Sequence, residues 1–542
     1  MAVVVWENAR IFTSSTSEVD ARAVAFSEGR VVAVGETAEV YRAVPYVDEV
    51  TDLEGAFVMP GIIESHTHLV MFGQSLSKVQ LRGCGSIKEI QSRIQEARNK
   101  LPEGRPLLGV GWQIEALGGA MPTATMIDEV VDDVPVLLDS HDLHSTWVNS
   151  AALKAMEITS CVPNPVGGQI VRDSNGQATG YLIETAAMQY AWGWVAGSMT
   201  EADRDSYLRA AFNAYCRAGV TGATEMALSD LDLEAFERIL TAEGQLPFPV
   251  TAYYLVQPSA NINEDRLKID RVWDVRARMR DRFGEGSFRI AGIKFIVDGV
   301  IDSCTAALHQ PYVNGEMPPP IWGRNELIQA VLHADALGLQ VALHAIGDAA
   351  SELALDAIES CFHENGQRED RRPRIEHLET VSEESVERMA RLGVVASMQP
   401  VHSDPAIMEN WKAVLGFPRS EEGFAWQKFR DAGVMVVLGT DAPTAPHYAL
   451  QNLYIALTGA SAIDLDLPPY HDERVFEPHK ALLAVTKNAA WASSMPSPVI
   501  EPGAPANLIA LDVNPLVDPA GSLLDARVVK MVIKGQEIEL EN

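Results

Sequence analysis

Basic side chains are scarce in this chain: 43 Lys and Arg stand against 74 Asp and Glu among 542 residues, a formal net charge of −31. Phosphate backbones and anionic headgroups are bound by clustered Lys and Arg, so nucleic-acid and membrane-surface functions are poor candidates. Long apolar runs are missing as well. The longest stretch without a charged side chain, Ala442 to Ile463, contains Pro443, Pro446, His447, Gln451 and Asn452 and is too polar for a bilayer-spanning helix. Cysteine is thin and unpatterned: Cys84, Cys161, Cys216, Cys304 and Cys361 are odd in number, widely spaced and without a C-x-x-C pair. That spacing argues against a disulfide framework or a thiolate zinc site. The opening MAVVVWENARIF lacks the basic and apolar regions of a secretory signal. The expectation is a cytoplasmic protein with reduced thiols. What the chain does have, 47% hydrophobic and 22% charged residues spread evenly, belongs to a globular protein with ample core.

Both ends read as β-structure. VVVWENARIF (3–12), AVAFSEGRVVAVG (23–35) and VTDLEGAFVMP (50–60) are β-branched runs separated by turn residues, and NLIALDV (507–513) and RVVKMVIKGQEIEL (527–540) repeat the pattern. They could be unrelated edge segments; the better reading pairs residues 1–55 with 495–542 in one small β-domain. Between them, apolar runs alternate with helical stretches. The runs are 57–66, 221–226, 249–256, 289–297, 340–344, 374–378, 394–399 and 434–439. Helical periodicity in segments such as 210–219, 325–338 and 382–393 ends each time on a glycine suited to a helix C-cap. Eight β-then-α units specify an α/β fold, a (β/α)8 TIM-type barrel over 56–494, with reacting groups at the carboxyl ends of the strands. Residues 69–215 are far too many for one connection and are expected to form an inserted subdomain, with a strand at 135–140.

The strongest local signal is Glu64-Ser65-His66-Thr67-His68 at the end of the first run. Side chains alternate along a strand, so His66 and His68 project to one side, about 6 to 7 Å apart at the backbone, and can grip one metal ion. Alone, H-x-H could equally be a polar cluster. Four further runs carry a ligand at or near their ends: Lys294 in GIKFIV, His344 closing QVALH, His377 closing RIEH, and Asp441 after VVLGT. Each has a bland alternative: an edge-strand lysine, two satisfied core histidines, a helix N-cap. Their shared location at one barrel mouth is what those alternatives leave unexplained. A lysine flanked by Ile293, Phe295 and Ile296 has its pKa depressed by burial. Neutral amine adds carbon dioxide to give a carbamate able to bridge two metals about 3.5 to 4 Å apart. His66, His68 and Asp441 would hold one ion, and His344 and His377 the other. Nitrogen and oxygen donors without sulfur suit zinc best, with iron, manganese, cobalt or nickel as alternatives. Such a site lowers the pKa of a bound water and polarises a carbonyl, and Asp441 is placed to shuttle the proton.

PGIIESHTH, GVGW (109–112), HSTWVNSAAL (144–153), GGQIVRD with TGYLIE (167–184), KFIVDG (294–299), HAIGD (344–348), RIEH, ASMQP (396–400) and GTDAP (439–443) follow one another in an order that resembles the amidohydrolase superfamily. Within it the chain is similar to the YtcJ-like group that includes N-substituted formamide deformylase. The resemblance implies a metal-dependent hydrolase barrel carrying a small β-sandwich built from both termini. It places ligands at His66, His68, Lys294, His344, His377 and Asp441, one or two divalent ions, and a Lys294 open to N-carboxylation. Two departures stand out. Val300, Ile301 and Asp302 follow Asp298-Gly299 where the group has a small residue, and Gly503-Ala504-Pro505-Ala506-Asn507 replaces the usual Gly-Lys-x-Ala-Asp.

Substrate contacts are expected from Trp112, His144 and Trp147 of the insertion and from Asp298 and Gln399 of the barrel. The expected reaction is hydrolysis of a linear C–N amide bond in an N-substituted formamide or other N-acyl amine. A cyclic-amide hydrolase or a deaminase is the nearest alternative, and a barrel that has lost catalysis and binds or regulates is a further one. The acidic surface favours neutral or cationic small molecules. The oligomeric state stays open, with a homodimer as one option.

Overall fold

A computed structural model describes residues 2–14, 21–140, 145–165, 168–259, 261–471 and 475–540. The chain forms two compact units, one built from residues 1–69 and 211–542 and the other from 70–210. Eight parallel strands form the frame of the first: Ile62–Thr67, Val220–Leu228, Val250–Leu255, Phe288–Ile296, Gln340–Ala345, Arg374–His377, Val395–Met398 and Val436–Leu438, hereafter strands 1 to 8. Their order in the sheet is their order in the chain, the arrangement of a (β/α)8 barrel. Buried on both faces, they read in sequence as near-continuous apolar runs rather than alternating ones. Helices such as Asp230–Glu243 and Glu383–Leu392 return the chain between strands. Ser229 and Ser382 cap them by accepting the amide hydrogens of Asp232 and Ser385, and Gly244 and Gly393 end them in the left-handed conformation.

The apolar run at 57–66 is divided by the structure. Phe57–Pro60 joins a five-stranded sheet with Arg10–Ile11, Leu508–Leu511, Val528–Ile533 and Gln536–Glu537, and only Ile62–Thr67 enters the barrel. Strands from both ends of the chain therefore share one sheet. A second sheet, from Val4–Glu7, Ala23–Ser27, Arg30–Gly35 and Glu49–Asp52, packs against it. Trp6, Phe26 and Val31 interlock with Val58, Leu508 and Val532 in their common core.

The unit 70–210 has its own six-stranded sheet, including Leu107–Trp112, Val136–Ser140 and Ser145–Val148. Its core is filled by Trp112, Trp147, Ile90, Ile94, Ile127 and Leu138. Among the described residues of the whole chain, no helix is long and apolar enough to cross a membrane.

The barrel closes where strand 8 meets strand 1. The Asp441 amide donates to the His66 carbonyl at 2.8 Å, the His68 amide to the Ala442 carbonyl at 3.0 Å, and Thr67 pairs with Ala442. Glu64 completes the seam by accepting from the backbone amides of His66 and Thr440 and from the Thr440 hydroxyl. The approach is so close that a Cβ on Gly439 would sit 2.6 Å from Glu64 Oε1 and 2.7 Å from the His66 nitrogen. A backbone atom cannot rotate away as a side chain can. Gly439→Ala is expected to cost about 1 to 3 kcal/mol by overpacking, read as a lower urea midpoint at unchanged slope; an unchanged midpoint would show that the seam has slack.

Candidate metal centre

Strand geometry delivers the donors to one end of the barrel. Strand 1 carries His66 next to its last residue and is followed by His68, strand 4 carries Lys294, strand 5 His344, strand 6 His377, and Asp441 follows strand 8. His66 Nε2 and His68 Nε2 lie 3.4 and 3.1 Å from the same Asp441 oxygen, Oδ1. Donor atoms around one ion bound at about 2.0 to 2.1 Å have separations of this size. The His377 ring centre is 4.9 Å from that of His66 and 4.4 Å from that of His344. One donor atom each of His66, His377 and Asp441 falls within 4.8 Å of the other two. His66 Nε2, His377 Nδ1 and Asp441 Oδ1 are buried and make no well-directed hydrogen bond among the described residues. Orphaned lone pairs of this kind are costly unless a cation engages them, so the residues present fit a divalent ion.

Backbone strain contributes to this convergence. Glu376 and His377 are adjacent, yet Glu376 is bonded to His66 and the His377 ring lies against it. Simple alternation along a strand forbids that. His377 and Leu378 have φ of 76° and 56°, and Asp441 has 57°, a region non-glycine residues occupy at a cost and chiefly at functional sites.

Behind the histidines stands a row of carboxylates that the H-x-H and strand-end signals did not single out. Glu376 Oε2 is 2.7 Å from His66 Nδ1, which puts the ring hydrogen on Nδ1 and turns the Nε2 lone pair toward Asp441. Glu225, inside strand 2, lies 3.9 Å from His68 Nδ1 and accepts the amides of Leu69 and Ala227. Glu379 is 3.3 Å from Nδ1 of His402. His402 follows strand 7, stacks on His377 at 5.9 Å with 7° between the planes, and directs Nε2 at Asp441 Oδ2, 3.7 Å away. His344 donates from Nε2 to the Gly299 carbonyl at 3.2 Å, leaving Nδ1 as its lone-pair nitrogen. The sequence clue to these partners is a charged residue inside an otherwise apolar strand: Glu64, Glu225, Arg374 and Glu376.

Burial and charge set the protonation of the group. Burial, reinforced by the Lys294 charge, lowers the His66 and His344 pKa values to about 4 and about 3, and burial reinforced by His344 and His66 holds His377 well below the ordinary range. Neutral imidazoles are what a metal requires. Burial also lowers Lys294 to about 8, against the pull of Glu376 and Asp441. Asp441 is pushed up by burial, but the surrounding histidines outweigh this and hold it well below the usual carboxylate range. Burial opposes charge on His402, while the Glu379 bond and the Asp441 carboxylate raise its pKa overall.

The expected substrate contacts fare differently. Asp298 is fully buried and its oxygens accept the backbone amides of Ala307, Ile346 and Gly347. It pins the loops after strands 4 and 5 instead of facing a substrate. Trp112 and Trp147 belong to the core of the 70–210 unit, 5.5 Å apart edge to face, with their indole hydrogens given to the Leu138 and Thr123 carbonyls. That corrects the cleft role expected of them. His144 lies outside the described residues. Gln399 is 2% exposed, and neither polar atom of its amide has a partner among the described residues.

A family model described as an amidohydrolase family matches residues 49–538. The chain is 30% identical to protein LONG AFTER FAR-RED 3 of Arabidopsis thaliana, over 98% of this chain and 90% of that protein. It is 26% identical to the N-substituted formamide deformylase of Arthrobacter pascens, over 97% and 96%. Among solved structures, a metal-dependent hydrolase of Pyrococcus horikoshii superposes with a TM-score of 0.77 at 26% identity, covering 96% of this chain and 99% of its own.

If Glu376 orients His66 toward an ion, Glu376→Gln should weaken zinc binding about 10- to 100-fold, measured by competition with a chromogenic chelator on protein that still melts cooperatively. Unchanged affinity would detach Glu376 from ligand orientation.

Proposed function

The chain belongs to the amidohydrolase family, and from that premise we propose that it is a metal-dependent hydrolase of a linear C–N amide bond, with N-substituted formamides and other N-acyl amines as its substrates. The observation that carries this reading is the Asp441 carboxylate. Its Oδ1 is set between His66 and His68 while its Oδ2 faces away from them, toward His402. A single carboxylate so divided can hold a cation with one oxygen and a reacting water with the other. When bound, a divalent ion, zinc by its fit to this donor set, lowers the pKa of water and polarises a carbonyl.

His66, His68 and Asp441 are the residues we assign to one ion, and His344 and His377 to a second. Lys294, once carboxylated, would offer two further oxygen donors to the ions; burial brings its amine toward the neutral form that can attack carbon dioxide. Asp441 Oδ2 takes a proton from the attacking water and passes it to the leaving nitrogen, so that the amine departs neutral. The setting we infer is the cytoplasm, where cysteines outside disulfides stay reduced, and the partner is a small amide.

The reading is tested by a hydrolysis screen of N-formyl, N-acetyl and cyclic amides with metal-loaded protein, scoring amine release. Turnover of N-acyl amines is expected; turnover of cyclic amides alone would move the assignment to ring opening, and purified protein without a transition metal by elemental analysis would sink it. Asp441→Asn is expected to lower kcat at least about 10²-fold. A near-normal rate would give the proton shuttle to another residue.

A further inference from the structure

His402 lies in the turn Pro400–Ser403 after strand 7, and three contacts fix where its ring points. Asn452 anchors the turn, accepting the Val401 amide and donating to the Gly439 carbonyl, both at 2.9 Å, so the turn is tied to the segment that carries Asp441. Glu379 holds Nδ1, and the His377 ring supports one face. Nε2 then faces acceptors only: Asp441 Oδ2 at 3.7 Å and the Thr444 hydroxyl oxygen at 3.4 Å. The Thr444 hydrogen is already given to the Asp441 main-chain oxygen at 2.6 Å. With Nδ1–H toward Glu379 at 3.3 Å and Nε2 facing acceptors only, the ring carries a hydrogen on both nitrogens, and the two Nε2 acceptors, at 3.4 and 3.7 Å, are farther away than the Glu379 oxygen. This donor is held on three sides and poorly used by the protein, and the His402 side chain is 15% exposed against 7% for Asp441.

We propose that the His402 Nε2–H, fixed by Glu379, is the hydrogen-bond donor to the substrate carbonyl oxygen as that oxygen becomes anionic, a role that rests on the amide-hydrolase reading above. When the water oxygen bonds to the carbonyl carbon, the C=O π pair moves onto the carbonyl oxygen. A donor aimed beside Asp441 Oδ2 meets that charge as it forms. On collapse the pair returns, the C–N bond breaks, and the nitrogen leaves with the proton carried by Asp441. His402 neither gains nor loses a proton in the cycle. His402 and Glu379 could instead be metal ligands, since with His377 they bring three donor atoms within 4.8 Å; the test separates the two.

The experiment uses zinc-loaded full-length protein and three variants, His402→Ala, His402→Gln and Glu379→Gln. It measures zinc stoichiometry, kinetics on the best amide of the screen, and binding of methylphosphonate, a tetrahedral anion, by calorimetry. His402→Ala is expected to keep its zinc, to lose about 10²- to 10³-fold in kcat, and to bind methylphosphonate more weakly. KM should move less than about 3-fold, since the lost interaction forms in the transition state. His402→Gln, whose amide can donate, should recover part of both losses, and Glu379→Gln should fall between. A His402→Ala protein with unchanged kcat and methylphosphonate affinity overturns the proposal, as does loss of one zinc in both the His402→Ala and Glu379→Gln proteins. A wild type that turns over no amide yet binds methylphosphonate in a His402-dependent way would refute amide hydrolysis and leave the donor standing. A wild type that does neither refutes both.

Discussion

The centre of the barrel depends on a buried ion pair. Arg374 and Glu376, both fully buried, face the barrel interior from strand 6 and meet through two hydrogen bonds of 2.6 and 3.1 Å. The guanidinium also reaches the Ser65 carbonyl and the Ser397 hydroxyl, at 2.9 and 2.8 Å, and lies 5.6 Å from the Tyr253 ring centre. Strands 1, 3, 6 and 7 thus share one cation. Glu376 has room to accept one further bond, and accepts it from His66 Nδ1. Removing the cation would leave a carboxylate in a low-dielectric interior, a loss of about 3 to 5 kcal/mol. It would also release the imidazole whose orientation the candidate site requires. Here the stability of the fold and the aim of a ligand come from the same contact.

That coupling explains what could be read in advance. The eight strands and their order were legible because parallel strands buried on both faces are apolar without interruption, and because glycines such as Gly338 and Gly393 end the intervening helices. The six candidate donors stand out for a related reason: each is an ionisable group within, at or just past the end of an apolar run. The carboxylates behind them were not. Glu225 and Glu376 sit inside the runs, where spacing says only that they face one side, and their partners are far away in sequence, 310 residues in the case of Glu376 and His66. His402 and Glu379 were hidden for a different reason. They lie in turns after strands, where no periodicity predicts direction, and only the Asn452 anchor and the packing of His402 on His377 bring them to the mouth.

The sequence was misleading where a polar or aromatic residue serves the fold alone. Asp298 follows Lys294 in a short motif and has the chemistry of a substrate contact, yet three backbone amides converge on it. Those amides belong to loops after strands 4 and 5 that could not otherwise bury their donors. Trp112 and Trp147 follow the same logic: a subdomain of this size needs large side chains at its centre, and each indole hydrogen is satisfied by a carbonyl of its own unit. A polar atom with its valence filled by backbone is structural, whereas one left unpaired in the interior is available.

Applied to the mouth, that criterion orders its groups. His66 Nε2, His377 Nδ1 and Asp441 Oδ1 are unsatisfied and turned inward, as cation donors must be. His402 Nε2 has acceptors only at 3.4 and 3.7 Å and lies beside Asp441 Oδ2, available to a molecule that reaches that carboxylate. The left-handed backbone at His377 and Asp441 is what permits both directions at once, because it frees each side chain from the alternation of its strand. The net charge of −31 gains a local meaning from this arrangement. A repulsive surface discourages anions from approaching, while His66, His344 and His377, held neutral, and a lysine shifted toward its neutral form keep the mouth receptive to cations. One or two divalent ions held there would turn the potential at the mouth positive within the acidic surface.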